Sequence, residues 1–413
     1  MNKKKIFFIP NYFYLNLPVF EQVINELGDK VNSYIVQVPG NTKFSVDKKY
    51  NLSYFNNKRI RFSKIPIITF YYNGVINKLK ALYFSIKNFR KIGSFLKEIK
   101  PNLIVVGSDL GNLSIRFFLE YCMLLRIPIL ILYTCDIPIE QNKFLFSCLD
   151  NLLFYYKTPF FRFFRSIFFK GNIVGTYALN AKICVISEEF KRKLIRKGIE
   201  QERIIVIGLP IVFSNNVLDK VYTKLGISKK QKIVVFFTEC IQNVYGEEYT
   251  KNLYKNLAEI FKNLSDNKIS VIIKLHPLED EKTKLFIRGV FKKSPFKIVK
   301  NFSAEELINI SDLCIAHFSR VLINAVLMEK RFLSINLMKD KKRTFIPKED
   351  RSILEINSFE DLKIRVKGIL KSPEHGRRID KAIAHLSKKF SYSDSVEKIT
   401  SLILDTVKVN PVE

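Results

Sequence analysis

The ten residues VIIKLHPLED, 271–280, run apolar as far as Ile273 and then set Lys274, His276 and Pro277 before turning acidic. An apolar run that meets a polar loop reads as the carboxyl end of a buried strand. Parallel α/β sheets collect their ligands at such ends. An imidazole there can donate a hydrogen bond to a phosphate oxygen, and Pro277 stiffens the loop that presents it. Lys274 lies two residues earlier on the same face, or points away from the site as a strand-interior residue. The alternative for His276 is a loop histidine whose bonds are satisfied locally.

A second constellation is SDLCIAHFSRVLINAVLMEK, 311–330. A strand ends near Ala316 and His317, and Ser319 can cap a helix with Val321, Leu322, Ala325 and Val326 on its apolar face. The free amides and dipole of a helix start favour a phosphate, so Ser319 is either part of an anion site or a cap and nothing more. Three carboxylates also end strand-like runs: Asp109 in VVGSDLGN, Asp136 in LYTCDIP and Glu239 in VVFFTEC. Either aspartate could take a proton from an acceptor hydroxyl, and each could equally be a turn residue. Glu239 is a candidate in the donor half. The chain has no G-x-x-x-x-G-K-[ST], G-x-G-x-x-G, D-x-D or H-E-x-x-H, which removes the usual signatures of P-loop, dinucleotide and metal-dependent sugar-transfer sites. His276 and His317 have no ligand-type spacing, so neither a metal nor a cofactor is expected.

The elements that would position these groups alternate. KIFFIP, SYIVQV, NLIVV, PILILY, AKICVIS and RIIVIG read as strands, with helices between them including 76–100 and 188–197. KIVVFFTEC, SVIIKLHP, DLCIAHF and RFLSINL repeat the scheme. Strands alternating with helices at this spacing imply parallel β-α-β units. The expected division is an N-terminal acceptor domain, 1–212, and a C-terminal donor domain, 213–413, closed by a last helix over 377–406.

At 413 residues and 47% hydrophobic content the chain can fill two cores. Its formal charge of +30, from 69 Lys+Arg against 39 Asp+Glu, suggests an anionic partner, although composition alone accounts for part of it. No nucleic-acid-binding motif is present, so no nucleic-acid partner is expected. The segment 143–171 is dense in Phe and Tyr with Lys and Arg between them. Phe161, Phe164 and Phe168 recur at helical spacing, which suits either an interfacial helix on an anionic leaflet or an aromatic core. The six cysteines form no C-x-x-C pair and read as reduced core residues. The basic N-terminus is interrupted by Pro10, Asn11 and Asn16, which suits a first strand and not a signal peptide. No run of about 18 apolar residues occurs, so the expected location is cytoplasmic, peripheral at the inner face of the plasma membrane.

PNLIVVGSDLGNLSIRFFLEYCMLLRIPILILYTCD and NAKICVISEEFKRKLIRKGIEQERIIVIGLP resemble segments of the GT-B superfamily, whose members bind a nucleotide-activated donor between two Rossmann-like domains. The first run is similar to one in non-hydrolysing UDP-N-acetylglucosamine 2-epimerases, where Asp109 matches the catalytic aspartate; their His-x-Glu-Ala-Gly and serine-glycine-glycine signatures are absent. KLHP followed by FSRVLINAVL is more similar to the His-Pro motif and serine-bearing helix of bacterial capsule and teichoic-acid transferases, of the sialyl-, Kdo- and CDP-glycerol groups. The resemblance implies a metal-independent glycosyltransferase fold with parallel sheets facing a cleft. In it His276 and Pro277 meet the donor phosphate, assisted by Ser319, and the donor carries CMP, CDP or UDP. The implied acceptor is a surface polysaccharide or lipid-linked glycan. Two other classes stand beside this reading: an epimerase-like isomerase, and a non-catalytic protein docking on anionic membrane or glycan.

Overall fold

Residues 5–9 are Lys-Ile-Phe-Phe-Ile, and all but the lysine are buried. A strand this apolar needs a layer on each side, and the computed structural model of the chain supplies both. The structure describes residues 3–10, 13–37, 60–64, 75–109, 113–133, 174–210, 218–264, 268–276, 279–292, 296–317, 319–339, 346–390 and 394–409. They form two compact units, one from residues up to 210 together with 394–409, the other from 218–390.

The first unit has seven parallel strands: β1 (Lys5–Ile9), β2 (Asn32–Gln37), β3 (Ile60–Lys64), β4 (Leu103–Val106), β5 (Ile129–Tyr133), β6 (Lys182–Val185) and β7 (Ile204–Val206). Their spatial order is β3-β2-β1-β4-β5-β6-β7, which reverses between β1 and β4. Side chains alternate across a strand, and here the alternation sorts the core into two layers. Phe7, Ile9, Ile104, Val106, Ile129 and Ile131 join Ile92, Leu96, Phe117 and Phe118. Those four come from helices α2 (Val75–Ile99) and α3 (Leu113–Leu124). On the other face Ile6, Phe8, Leu103, Val105, Leu130 and Leu132 meet Phe20 and Ile24 of α1 (Phe13–Leu27), and Ile399, Ile403 and Val407 from the end of the chain. Burying each large aliphatic side chain is worth about 1.5–3 kcal/mol. The helix α4 (Glu188–Arg196) starts at Ser187, whose hydroxyl accepts from the Phe190 amide, as an N-cap should.

The second unit has six parallel strands: β8 (Lys232–Phe237), β9 (Ile269–Lys274), β10 (Lys297–Val299), β11 (Leu313–Ala316), β12 (Phe332–Ile335) and β13 (Glu355–Ile356). Their order is β10-β9-β8-β11-β12-β13, with the reversal between β8 and β11. The helices are α5 (Leu218–Leu225), α6 (Gln242–Lys262), α7 (Glu281–Phe291), α8 (Ala304–Ile310), α9 (Arg320–Leu327), α10 (Lys348–Leu354), α11 (Phe359–Lys371) and α12 (Pro373–Phe390). Several starts carry a cap: Asp280 on Thr283, Ser319 on Val321, Ser358 on Asp361, and a full capping box between Ser303 and Glu306.

Three features differ from the sequence reading. The strands β3, β10 and β13 were not expected; they are short or rich in cations and sit toward sheet edges, where the apolar signal is weakest. The single helix expected over 377–406 is two, α12 and α13 (Ser395–Val409). The sequence between them reads Ser-Tyr-Ser-Asp, and Ser and Asp favour helix ends over interiors. Moreover, α13 belongs to the first unit and not to the second. The aromatic basic segment 143–171 lies outside the described residues. Among the described residues no helix is long and apolar enough to cross a membrane.

Candidate functional site

In the second unit the carboxyl ends of β9, β8 and β11 are adjacent, and the sheet order reverses beside β8, so their loops frame the crevice where such sheets take ligands. The β8 end supplies Thr238, Glu239 and Cys240; the β9 end supplies His276 and Glu279; the β11 end supplies His317 and Ser319. These came from three separate motifs in the sequence, and the parallel register brings them to one edge.

The His276 amide donates to Thr238 Oγ1 at 2.8 Å, and the imidazole Nδ1 lies 3.4 Å from Cys240 Sγ. Burial pushes the imidazole down to about 4, with the charges of Lys274 and Lys284 acting in the same direction. At neutral pH it is therefore uncharged, able to donate from one nitrogen and accept at the other. Burial pushes the Cys240 thiol up to about 12, so it is a thiol beside that ring and not a thiolate.

Lys274 does not turn its ammonium toward this loop; it donates to the carbonyls of Leu275 at 3.0 Å and Lys300 at 3.1 Å, bracing the ends of β9 and β10. Beside it, Leu275, Ile298, Arg288, Lys292 and Lys300 line a cavity of about 310 Å³ whose charged members are all cationic. Pro277 lies outside the described residues.

His317 is 3% exposed, and its Nε2 is 3.0 Å from the Tyr249 hydroxyl. The rings of Tyr245 and Tyr249 flank it, and burial pushes the Tyr249 phenol up to about 12. Both tyrosines belong to α6, which is interrupted at Gly246 with φ 85° and ψ 171°. A positive φ of that size suits glycine and lets the helix turn between the two rings. Ser319 caps α9 through Val321 N at 3.4 Å, and Ser334 Oγ donates to the His317 carbonyl at 2.8 Å. Glu239 contributes its carbonyl, 3.3 Å from the Tyr254 hydroxyl.

The residue that sequence reasoning missed is Glu279. It is 3% exposed, takes the Thr238 hydroxyl on Oε2 at 2.9 Å and the Tyr254 hydroxyl on Oε1 at 3.1 Å. Burial raises its carboxyl to about 7 against the pull of those two hydroxyls. The available signal was its place three residues after His276; its partners, Thr238 just beyond β8 and Tyr254 on α6, are far away in the chain.

Asp109 belongs to the first unit. Its side chain is fully buried, and its two oxygens accept the amides of Gly175, Tyr177 and Ala178 at 2.9, 2.9 and 3.0 Å. A base must offer a lone pair to an incoming hydroxyl, and this carboxylate has both oxygens occupied and no surface. It anchors the loop at 175–178. Gly175 has φ 86°, and a Cβ there would come within 2.1 Å of Ile183 Cδ1. Arg203 holds the same loop from outside, donating to the carbonyls of Gly175, Ala178 and Ala181. Asp136 lies outside the described residues. Away from these groups, Glu349, Asp350 and His385 bring ligand-type atoms within 4.8 Å of one another; His385 Nδ1 is 2.8 Å from Asp350 Oδ2.

Residues 183–333, from β6 to β12, match the family model described as CDP-Glycerol:Poly(glycerophosphate) glycerophosphotransferase. No curated protein sequence matches the chain. Among solved structures it is similar to a UDP co-structure of S. aureus MnaA, at 12% identity and TM-score 0.60 over 99% of both chains. A UDP-GlcNAc 2-epimerase from Neisseria meningitidis bound to UDP-GlcNAc has 13% identity and TM-score 0.61, over 97% of this chain and all of that one. A glycosyltransferase from Rickettsia africae has 14% identity and TM-score 0.59, over 99% of this chain and all of that one. The fold is that of the GT-B glycosyltransferases and these epimerases: parallel α/β units of Rossmann type.

Proposed function

We propose that the chain is a transferase that moves an activated group from a nucleotide-linked donor, of CDP-glycerol or nucleotide-sugar type, to a surface-polymer acceptor. The observation that carries the reading is where the family match falls: residues 183–333 take in the β8, β9 and β11 ends together with His276 and Ser319. Cleaving such a donor leaves a nucleotide whose negative charge grows along the reaction. Hydrogen bonds aimed at that charge lower the barrier. A neutral His276 donates to a donor phosphate oxygen, and the first amides of α9 beyond Ser319 add their dipole. His317 holds the crevice wall through Tyr249, and Glu239 does so through its carbonyl. Cytidine is the proposed nucleotide because the matching family uses a CDP-linked donor; uridine is the alternative among CMP-, CDP- and UDP-linked donors.

The acceptor is proposed to be a cell-surface polysaccharide, teichoic-acid-like polymer or lipid-linked glycan, met at the inner face of an anionic membrane through the basic aromatic segment 143–171. Asp109 or Asp136 is proposed as the acceptor base, and the burial of Asp109 under three amides favours Asp136. No cofactor or metal is assigned to the reaction.

The test is thermal-shift binding with CMP, CDP, CDP-glycerol, UDP and UDP-GlcNAc, followed by donor turnover with and without acceptor. A ligand at 100 times its Kd stabilises by about 2.7 kcal/mol. The expected outcome is a shift with the cytidine compounds that His276→Ala abolishes while the ligand-free midpoint stays within about 2 °C. A shift with UDP-GlcNAc and turnover without acceptor would replace the transferase by an isomerase; no shift with any nucleotide would refute both.

A further inference from the structure

Thr238 and Tyr254 each have one hydroxyl proton and two acceptors within reach. Thr238 Oγ1 is 2.9 Å from Glu279 Oε2 and 3.3 Å from the Lys274 carbonyl. Tyr254 is 3.1 Å from Glu279 Oε1 and 3.3 Å from the Glu239 carbonyl. An ionised Glu279 accepts from both hydroxyls. A protonated Glu279 has an O–H of its own to place, on one of these two oxygens, and the displaced hydroxyl then turns to its backbone carbonyl. Both patterns are complete, so neither protonation state leaves a buried polar group without a partner.

The same Thr238 oxygen accepts the His276 amide at 2.8 Å, and the Glu279 amide lies 3.4 Å from the His276 carbonyl. His276 is therefore tied through its amide to the Thr238 hydroxyl that changes partner, and through its carbonyl to the backbone of Glu279.

We propose that Glu279 is a positioning residue, which through Thr238 sets the loop bearing His276, and that gain or loss of its proton switches the loop between two hydrogen-bond patterns. The donor affinity that would follow this switch rests on the transferase reading; the switch itself does not.

The charged and titratable groups around Glu279 come from every packed element. Lys284 of α7 is 3% exposed and paired with Glu281, and its charge favours the ionised carboxylate. Lys274 of β9 lies near enough for its own charge to feel Glu279. Cys240 and Glu239 follow β8, and Tyr254 comes from α6, its phenol pushed well up by burial. His276 and the exposed, helix-capping Asp280 complete the set. The His276 ring lies at about 4 and the Cys240 thiol at about 12, on either side of Glu279 at about 7.

The chain has four histidines, which makes their imidazole resonances a direct probe. In the full-length protein labelled on histidine, with His276 assigned through His276→Gln, the His276 carbon shift is followed from pH 4 to 9. Two inflections are expected, the ring's own near 4 and a second near 7 transmitted from Glu279. Glu279→Gln should abolish the second. Should that variant fail to fold, Thr238→Val and Thr238→Ser carry the test, because valine removes the hydroxyl link and serine keeps it. The upper inflection should be lost in the first and retained in the second. A wild-type profile without the upper inflection overturns the proposal, as does its survival in Glu279→Gln or equal behaviour of the two Thr238 variants. None of these readouts needs the donor, so a failed transferase assay leaves the result standing.

Discussion

Replacing Asp109 separates an anchor from a base. Its carboxylate accepts three backbone amides inside a site with no solvent exposure. Hydrogen bonds to a charged group are worth about 1.5–3 kcal/mol each, which bounds the gross loss at roughly 4–9 kcal/mol. Part of that is returned, because burial opposes the charge strongly enough to raise the carboxyl above its ordinary range despite the three amides. A net loss of about 3–5 kcal/mol is expected for Asp109→Ala. Asparagine can keep one oxygen on Tyr177 and Ala178 while turning its amide group against the Gly175 N–H, so Asp109→Asn should cost less, about 2 kcal/mol. Against a typical stability of about 5–15 kcal/mol these are large fractions. The alanine variant should melt roughly 6–20 °C lower. Urea unfolding followed by circular dichroism measures both. A catalytic base would show the reverse signature: both variants within about 0.5 kcal/mol of the parent chain and turnover gone. That result would refute the anchoring argument.

Arg203→Met removes three donors to the carbonyls of Gly175, Ala178 and Ala181. It should destabilise by about 2–4 kcal/mol, and because Asp109 holds the same loop, the Asp109→Asn/Arg203→Met pair should fall short of additivity by about 1 kcal/mol or more in a double-mutant cycle. The His276 ring is neutral in the fold down to about 4, whereas the unfolded chain takes a proton near 6.5, so stability should rise with pH across that window by about 2–3 kcal/mol. Glu279 has the opposite sign: the fold keeps its proton up to about 7 while the unfolded chain loses it near 4.5, so its contribution falls as pH rises between them. Denaturant titrations at half-unit pH steps should show His276→Gln losing the rising limb and Glu279→Gln the falling one; parallel curves for all three proteins would refute both assignments.

The central strands were legible because a parallel sheet covered on both faces needs continuous apolar runs, and LIVV, ILILY, KIVVFF and LCIA leave no other reading. Ser187 and Ser319 were legible as caps because a cap acts on residues two or three positions away. Asp109 was not, since its three amides lie 66–69 residues downstream and a strand-end aspartate has the same local pattern whether it anchors a loop or takes a proton. Glu279 was hidden for the same reason: Thr238 and Tyr254 are 41 and 25 residues away. Local spacing reports on helices and strands, and long-range hydrogen bonds decide what a carboxylate does.

The return of α13 to the first unit bears on the order in which the molecule can form during synthesis. Ile399, Ile403 and Val407 pack with Phe8, Phe20 and Ile24, residues made long before them. Between residue 210 and that helix the ribosome must deliver the whole second unit, roughly 180 residues. At 5–20 residues per second the wait is on the order of ten seconds or more. Throughout that interval one face of the first sheet has α1 but lacks the α13 part of its cover, while the described residues of the second unit, 218–390, follow one another in the chain. The half of the protein translated later is free to finish first, and the early half is the one exposed to chaperones and to premature termination.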